Sequence, residues 1–193
     1  MLTHDIGSAR KVVLLGDTQV GKTSLISRLV NDIQPVGLQP TIGCHCFDYN
    51  YQVDDRIVQL QIWDTAGQEM YNSIVPVYLR NAKVVLILFA LNDVASFEHI
   101  SKWYDLLNDT IPADTPVYII GTKTDLYDDR QILYDSAAES SRTYGAKYYE
   151  ISSLTGQGVQ NLFGDIARSL LEETDIENQM INPNSQSNES NCC

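Results

Sequence analysis

Gly16-Asp17-Thr18-Gln19-Val20-Gly21-Lys22-Thr23 decides how the chain is read, because it satisfies GxxxxGK[ST] in the setting that pattern requires. Before it stands the apolar run Val12 to Leu15, read as a buried strand. After it, Leu25, Ile26 and Leu29 fall at helical spacing. Backbone N–H groups of a loop that enters a helix N-terminus converge on phosphate oxygens, and the helix dipole adds to them. Lys22 then reaches the outer phosphates, and the Thr23 hydroxyl reaches Mg²⁺. A short pattern also arises by chance in an ordinary strand, turn and helix, so the remaining segments must decide.

A chain of 193 residues is enough for one domain with a substantial core, plus an appendage. With 13 Lys+Arg against 25 Asp+Glu, the formal net charge of -12 argues against nucleic acid as a partner and against adhesion to anionic lipid by charge alone. Met1 to Arg10 lacks a signal-peptide core, and the longest apolar run, Val84 to Leu91, is too short to span a bilayer. Cysteines 44 and 46, and 192 and 193, clip no long loop, which fits a reducing compartment.

The stretch Asn31 to Gln39 has no periodicity and reads as a loop that ends in Pro40-Thr41-Ile42-Gly43. Segments Cys46 to Val53 and Ile57 to Trp63, joined at Asp54-Asp55, read as an antiparallel hairpin at a sheet edge. Then come Asp64-Thr65-Ala66-Gly67-Gln68-Glu69, a short helix to about Asn81, and the buried strand Val84 to Ala90. A helix over Ala95 to Asn108 puts Phe97, Ile100, Trp103, Tyr104 and Leu107 inward; a strand, Val117 to Ile120, leads into Gly121-Thr122-Lys123-Thr124-Asp125. A helix near Asp135 to Tyr144, a strand from Lys147 to Ile151, the loop Ser152-Ser153-Leu154 and a strongly amphipathic last helix with Val159, Leu162, Phe163, Ile166 and Leu170 on one face complete the folded part. Alternating strands and helices give a mostly parallel sheet covered on both faces, with ligands at the carboxyl ends of its strands. Asn178 to Asn191, rich in Asn, Ser and Gln, has too few apolar residues to offset its ordering entropy and reads as a disordered tether.

Asp64, closing an apolar strand, is placed to bind Mg²⁺ through water, and Gly67 lets a backbone N–H approach a terminal phosphate. Gln68 is then placed to orient an attacking water, the main demand of phosphoryl transfer. Asp125 can accept two hydrogen bonds from N1–H and the exocyclic amine of guanine, a pair that adenine does not offer.

Together GDTQVGKT, PTIG, WDTAGQE, TKTD and SSL, in that order, make roughly residues 10 to 171 resemble the Ras-like small GTPases. The resemblance implies an α/β P-loop NTPase G domain: a six-stranded, mostly parallel sheet with one antiparallel edge strand and five helices on both faces. It implies GTP and GDP binding with Mg²⁺, slow hydrolysis, and two switch loops that respond to the γ-phosphate. Asp17, Thr18, Gln19, Val20, Gly21, Lys22, Thr23 and Ser24 would hold the phosphates, with Gly67 beside them. Thr41 would contact Mg²⁺ and the γ-phosphate, and Gln68 would be catalytic. Thr122, Lys123, Asp125, Ser152, Ser153 and Leu154 would surround the base. On this reading residues 1–9 are a flexible N-terminus, 10–171 a monomeric G domain and 172–193 a disordered tail.

Within that family PTIG, WDTAGQE and the double cysteine look most like the Rab branch, which acts in vesicle traffic; GTKTDLYDD and ASFEHISKWY resemble Rho equivalents. Residues 129–144 are too few for the helical insert of Rho proteins. By resemblance Cys192 and Cys193 each carry a geranylgeranyl group. One lipid anchors only marginally and two anchor stably, and residues 172–193 contain no Lys or Arg to act as a second signal. The implied partners are an exchange factor, a GTPase-activating protein, effectors, and prenylation and membrane-extraction chaperones, with the protein on the cytoplasmic face of intracellular membranes and a cytosolic pool. Ile42, Cys46, Trp63 and Tyr78 match an effector-facing group, with Cys46 where Rab proteins carry Phe. The chain departs from the pattern at Thr18 and Gln19, where small residues are usual, and at Thr122, where Asn is usual. His4 and His99 have no sequence neighbours that suggest catalysis.

Overall fold

A computed structural model describes Thr3–His4, residues 9–32, Thr41, residues 43–67 and residues 74–181, with side chains described to residue 176 in the last segment. Ile42, Gln68, Cys192 and Cys193 lie outside the described residues. The strands are β1 (Thr3–His4), β2 (Arg10–Gly16), β3 (Cys44–Val53), β4 (Arg56–Thr65), β5 (Val84–Ala90), β6 (Val117–Thr122) and β7 (Lys147–Glu150). The helices are α1 (Lys22–Asn31), α2 (Val75–Leu79), α3 (Val94–Glu98), α4 (Ile100–Asn108), α5 (Tyr134–Thr143) and α6 (Val159–Ile181).

The lanes of the sheet run β3-β4-β2-β5-β6-β7, all parallel except the β3–β4 hairpin at the edge. β3 occupies one edge of β4 along its whole length, from Cys44↔Thr65 to Val53↔Arg56. β1 therefore shares the other edge with β2: Thr3 pairs with Arg56, and Arg10 with Leu60 farther along. The sheet thus keeps the expected six lanes. Within the N-terminal stretch expected to be flexible, Thr3–His4 pairs with β4.

β2 and β5 are buried on both faces, and each face has its own core. Val12 and Leu14 pack with Leu25, Ile26 and Leu29 of α1 and with Leu162, Phe163 and Ile166 of α6. Val13 and Leu15 point the other way, toward Val75 and Leu79 of α2, Ile100, Trp103 and Leu107 of α4, and Ala137 of α5. Strict alternation along a strand is what lets one tetrapeptide serve two cores.

Two helices depart from expectation. The single helix expected over 95–108 is broken at His99, which ends α3 and opens α4; its N–H bonds Ala95 O and its carbonyl accepts from Trp103 N. The last helix does not stop near residue 171 but runs to Ile181. Its added turns are tied down from the strand ends: Arg10 Nη2 donates to Thr174 Oγ1 at 2.7 Å, Lys83 pairs with Glu173, and Arg56 with Asp175. Thr174 is buried and donates to Leu170 O. Polar composition misled the expectation of disorder over 172–181 because these ties reach in from remote parts of the chain.

Candidate nucleotide site

The glycine loop leaves β2 while that strand is still paired to β5, Gly16 opposite Leu88. Gly16 has φ +136°, and a Cβ there would fall 2.2 Å from Leu88 O, so no other residue fits without displacing the neighbouring strand. Gly21, also in the left-handed half of backbone space, caps α1. Gln19 takes φ +64° without glycine's freedom, and with Thr18 it is exposed.

Lys22 is buried, and its ammonium donates to Gly16 O and Asp17 O, both at 2.7 Å. The loop therefore wraps a fixed positive charge with its own carbonyls. Beside it, Thr23 Oγ1 donates to Asp64 Oδ2 at 2.6 Å, and Thr41 Oγ1 lies 2.6 Å from Thr23 Oγ1 and 3.2 Å from Asp64 Oδ2. Asp64 is fully buried, and its Oδ1 has no hydrogen-bond partner among the described residues. Burial pushes its carboxyl above the ordinary value, against the hydrogen bonds from Thr23 and Thr41 and the charge of Lys22. One carboxylate with an unpartnered oxygen and two hydroxyls form an all-oxygen donor set, the kind that a hard cation such as Mg²⁺ takes. The residues present fit that ion, which when bound would neutralise phosphate charge.

The segment after β4 closes on the glycine loop. A Cβ on Gly67 would stand 2.1 Å from Thr18 N and 2.5 Å from Asp17 O, so the two backbones touch where a side chain would hold them apart. Ala66 N bonds Gly43 O, which links this segment to the start of β3.

The third part lies at the ends of β6 and β7. Thr122, buried, places Oγ1 2.5 Å from Val20 O and 3.0 Å from Phe89 O. Expected to bridge less than an Asn, it still ties the base-side loop to the glycine loop. Lys123 has φ +64°. Ser152, buried, donates to Asp125 Oδ1 at 2.5 Å and accepts from Thr155 N, which orients the carboxylate. Ser153 is buried, Leu154 exposed, and Arg28 of α1 donates to the carbonyls of both.

Sequence reasoning missed three participants. Arg28 carries no signal in the sequence. His99 reads as a histidine without neighbours that suggest catalysis and Trp103 as an inward-facing ring, yet both donate to Asp17: His99 Nδ1 lies 2.6 Å from Oδ2, and Trp103 Nε1 3.0 Å from Oδ1. His99 and Trp103 are four residues apart and share one helical face, and that face meets the glycine loop.

A doubly wound α/β sheet with a phosphate loop, an oxygen-lined cation cluster and a carboxylate-bearing base loop on one rim defines a P-loop protein of the GTPase class. The family model of the Ras family matches residues 11–172, and the chain belongs to the Ras family. Members of that family are GTPase switches that bind GTP or GDP with Mg²⁺, and this chain is a small GTPase of that kind.

The cation cluster makes a prediction. Chelation of Mg²⁺ should speed GDP release from the unaltered chain by at least about tenfold, since a bound ligand holds the folded site by mass action. In Asp64→Asn, with the carboxylate gone, release with and without EDTA should differ by less than about twofold. Stopped-flow fluorescence of a labelled GDP measures both.

Proposed function

We propose that the protein is a Rab-like switch in vesicle traffic, held on intracellular membranes by lipid at Cys192 and Cys193 and recruiting effectors when loaded with GTP. One observation carries the effector reading. Trp63 and Tyr78, ring centroids 6.4 Å apart, form a half-buried aromatic pair next to exposed Ile74 and Val77. Trp63 immediately precedes Asp64 of the cation cluster, so this apolar surface is continuous with the part of the chain that senses the nucleotide. Cys46 is exposed and pairs opposite Trp63, and Lys11 Nζ sits 3.9 Å over the Trp63 ring. Burial, then Asp48, push the Cys46 thiol up against the pull of Lys11, so it remains an uncharged thiol at neutral pH. In this reading a small neutral side chain stands where relatives present a ring, and the surface selects a different set of partners.

The same reading assigns the nucleotide chemistry residue by residue. Asp125, steadied by Ser152, reads guanine; Lys123 and Thr122 brace the base loop against the glycine loop, and Ser153 and Leu154 close over it. Lys22 and the backbone of residues 17–24 hold the phosphates. Thr23, Thr41 and Asp64, the last through water, would hold Mg²⁺, which would neutralise phosphate charge, and Gln68 would orient the attacking water. A second reading, a slowly hydrolysing nucleotide-bound interaction module, is favoured by Thr18 and Gln19, both side-chain-bearing and exposed in the glycine loop.

Trp63→Ala should weaken capture of GTP-dependent partners by about 2 kcal/mol, roughly thirtyfold, while capture by the GDP form stays at background. Pull-downs with each nucleotide measure this. Replacing both Cys192 and Cys193 by Ser should move the protein from the membrane pellet to the supernatant on fractionation; unchanged pelleting would reject the anchor. Thr18→Gly should raise activator-stimulated single-turnover hydrolysis by about tenfold or more, because an inserted arginine is worth about 10³ to 10⁵ in rate and the threonine obstructs it. Equal rates would reject obstruction by Thr18 and remove the support for the second reading.

A further inference from the structure

We infer that the corner between α3 and α4 positions the glycine loop through Asp17, making His99 and Trp103 determinants of how tightly nucleotide is held. This rests on the small-GTPase reading and adds a control point behind the phosphates. Asp17 puts a carboxylate on the second residue of a loop built to bind anions, which opposes the ligand by like charge unless the side chain is held aside. It is held aside on both oxygens. An indole N–H can only donate, so Trp103 gives its proton to Oδ1; an ionised carboxylate can only accept, so His99 Nδ1 carries the proton shared with Oδ2. Trp103 is fully buried and cannot swing out, whereas His99 and Asp17 retain 28% and 20% side-chain exposure.

The same residue is gripped from two further sides. Its main-chain carbonyl accepts from Lys22 Nζ, and its peptide packs against Gly67. Asp17 therefore joins the helix corner, the phosphate-binding lysine and the segment after Asp64. Releasing the carboxylate frees a negative charge beside the phosphates and loosens the carbonyl that holds Lys22. His99 and Trp103 are positioning residues in this scheme: they touch Asp17, and Asp17 sets the loop.

The test is release of fluorescent GDP from the full chain in the presence of Mg²⁺, with melting temperature measured alongside. His99→Leu and Trp103→Phe should each speed release by about tenfold, the loss expected for a hydrogen bond to a charged group. His99→Asn, whose amide N–H₂ stands where Nδ1 stood, should stay within about twofold of the unaltered chain. In an Asp17→Ala background, His99→Leu should add nothing, because its partner is gone. Tyr104→Phe, which removes a hydrogen bond to Tyr144 O from the same helix without touching the loop, should lower the melting temperature and leave release unchanged. Equal release by His99→Leu and the unaltered chain, failure of His99→Asn to rescue, or an undiminished His99→Leu effect without Asp17 would overturn the proposal while the GTPase reading stands. If the unaltered chain does not bind GDP, both fall. Should Trp103→Phe not fold, the His99 variants, altered at a half-exposed position, carry the test alone.

Discussion

The carbonyl oxygen of Leu88 stands where a side chain on residue 16 would begin, and the site is organised around that collision. β2 stays paired to β5 to its last residue, so the loop must turn at the sheet's rim. Only a residue without Cβ allows this. Everything nearby is then fixed by short contacts to that turn: Lys22 folds back onto Gly16 O, Thr122 reaches Val20 O, and Gly67 closes on the Asp17–Thr18 peptide. Backbone crowding at two glycines and these side-chain ties to loop carbonyls together bring the remote segments into register.

Charge raises a separate question, since a chain with net charge -12 binds one of the most anionic metabolite classes. The Debye length at physiological ionic strength is about 8 Å, so distant carboxylates are largely screened and slow the ligand's approach more than they weaken its hold. Local arrangement settles affinity. Lys22 is buried at the loop, the α1 N-terminus points into it, and the two nearest carboxylates are each restrained: Asp64 by Thr23 and Thr41, Asp17 by His99 and Trp103. The acidity of the surface and the anion affinity of the site are thus compatible because they act over different distances.

Most of the fold was legible because its signals are local. β2, β5 and β6 are short apolar runs bounded by turn residues, and α6 shows its apolar stripe over three turns. The glycine loop and the Asp64 and Asp125 segments each stand at the carboxyl end of a strand, which places them on one rim from the sequence alone. What escaped was decided by distant partners. α6 continues past Leu171 because Arg10, Arg56 and Lys83 meet it from other strands, and Thr3–His4 is ordered by an open edge of β4. His99 escaped because its partner, Asp17, lies 82 residues away in the sequence and only the packed fold brings the two together. Gln68 and residues 33–40, where the resemblance says most about catalysis, lie outside the described residues.

The order of lanes in the sheet has a further consequence for how the protein comes to exist. Apart from the β3–β4 hairpin, neighbouring strands come from far along the chain: Val12 lies beside Val84, and Val85 beside Val117. Such pairings pay their loop-closure entropy before any contact rewards it, so the sheet is slow to nucleate, and among the described strand pairings the hairpin is the local one. The rim needs residue 16, residue 64, residue 122 and residue 152 in place together, hence it is absent from any partly folded chain. Ligand that binds only the finished rim draws the folding equilibrium toward the native state by mass action. Nucleotide is in that sense part of what completes the protein as well as what switches it.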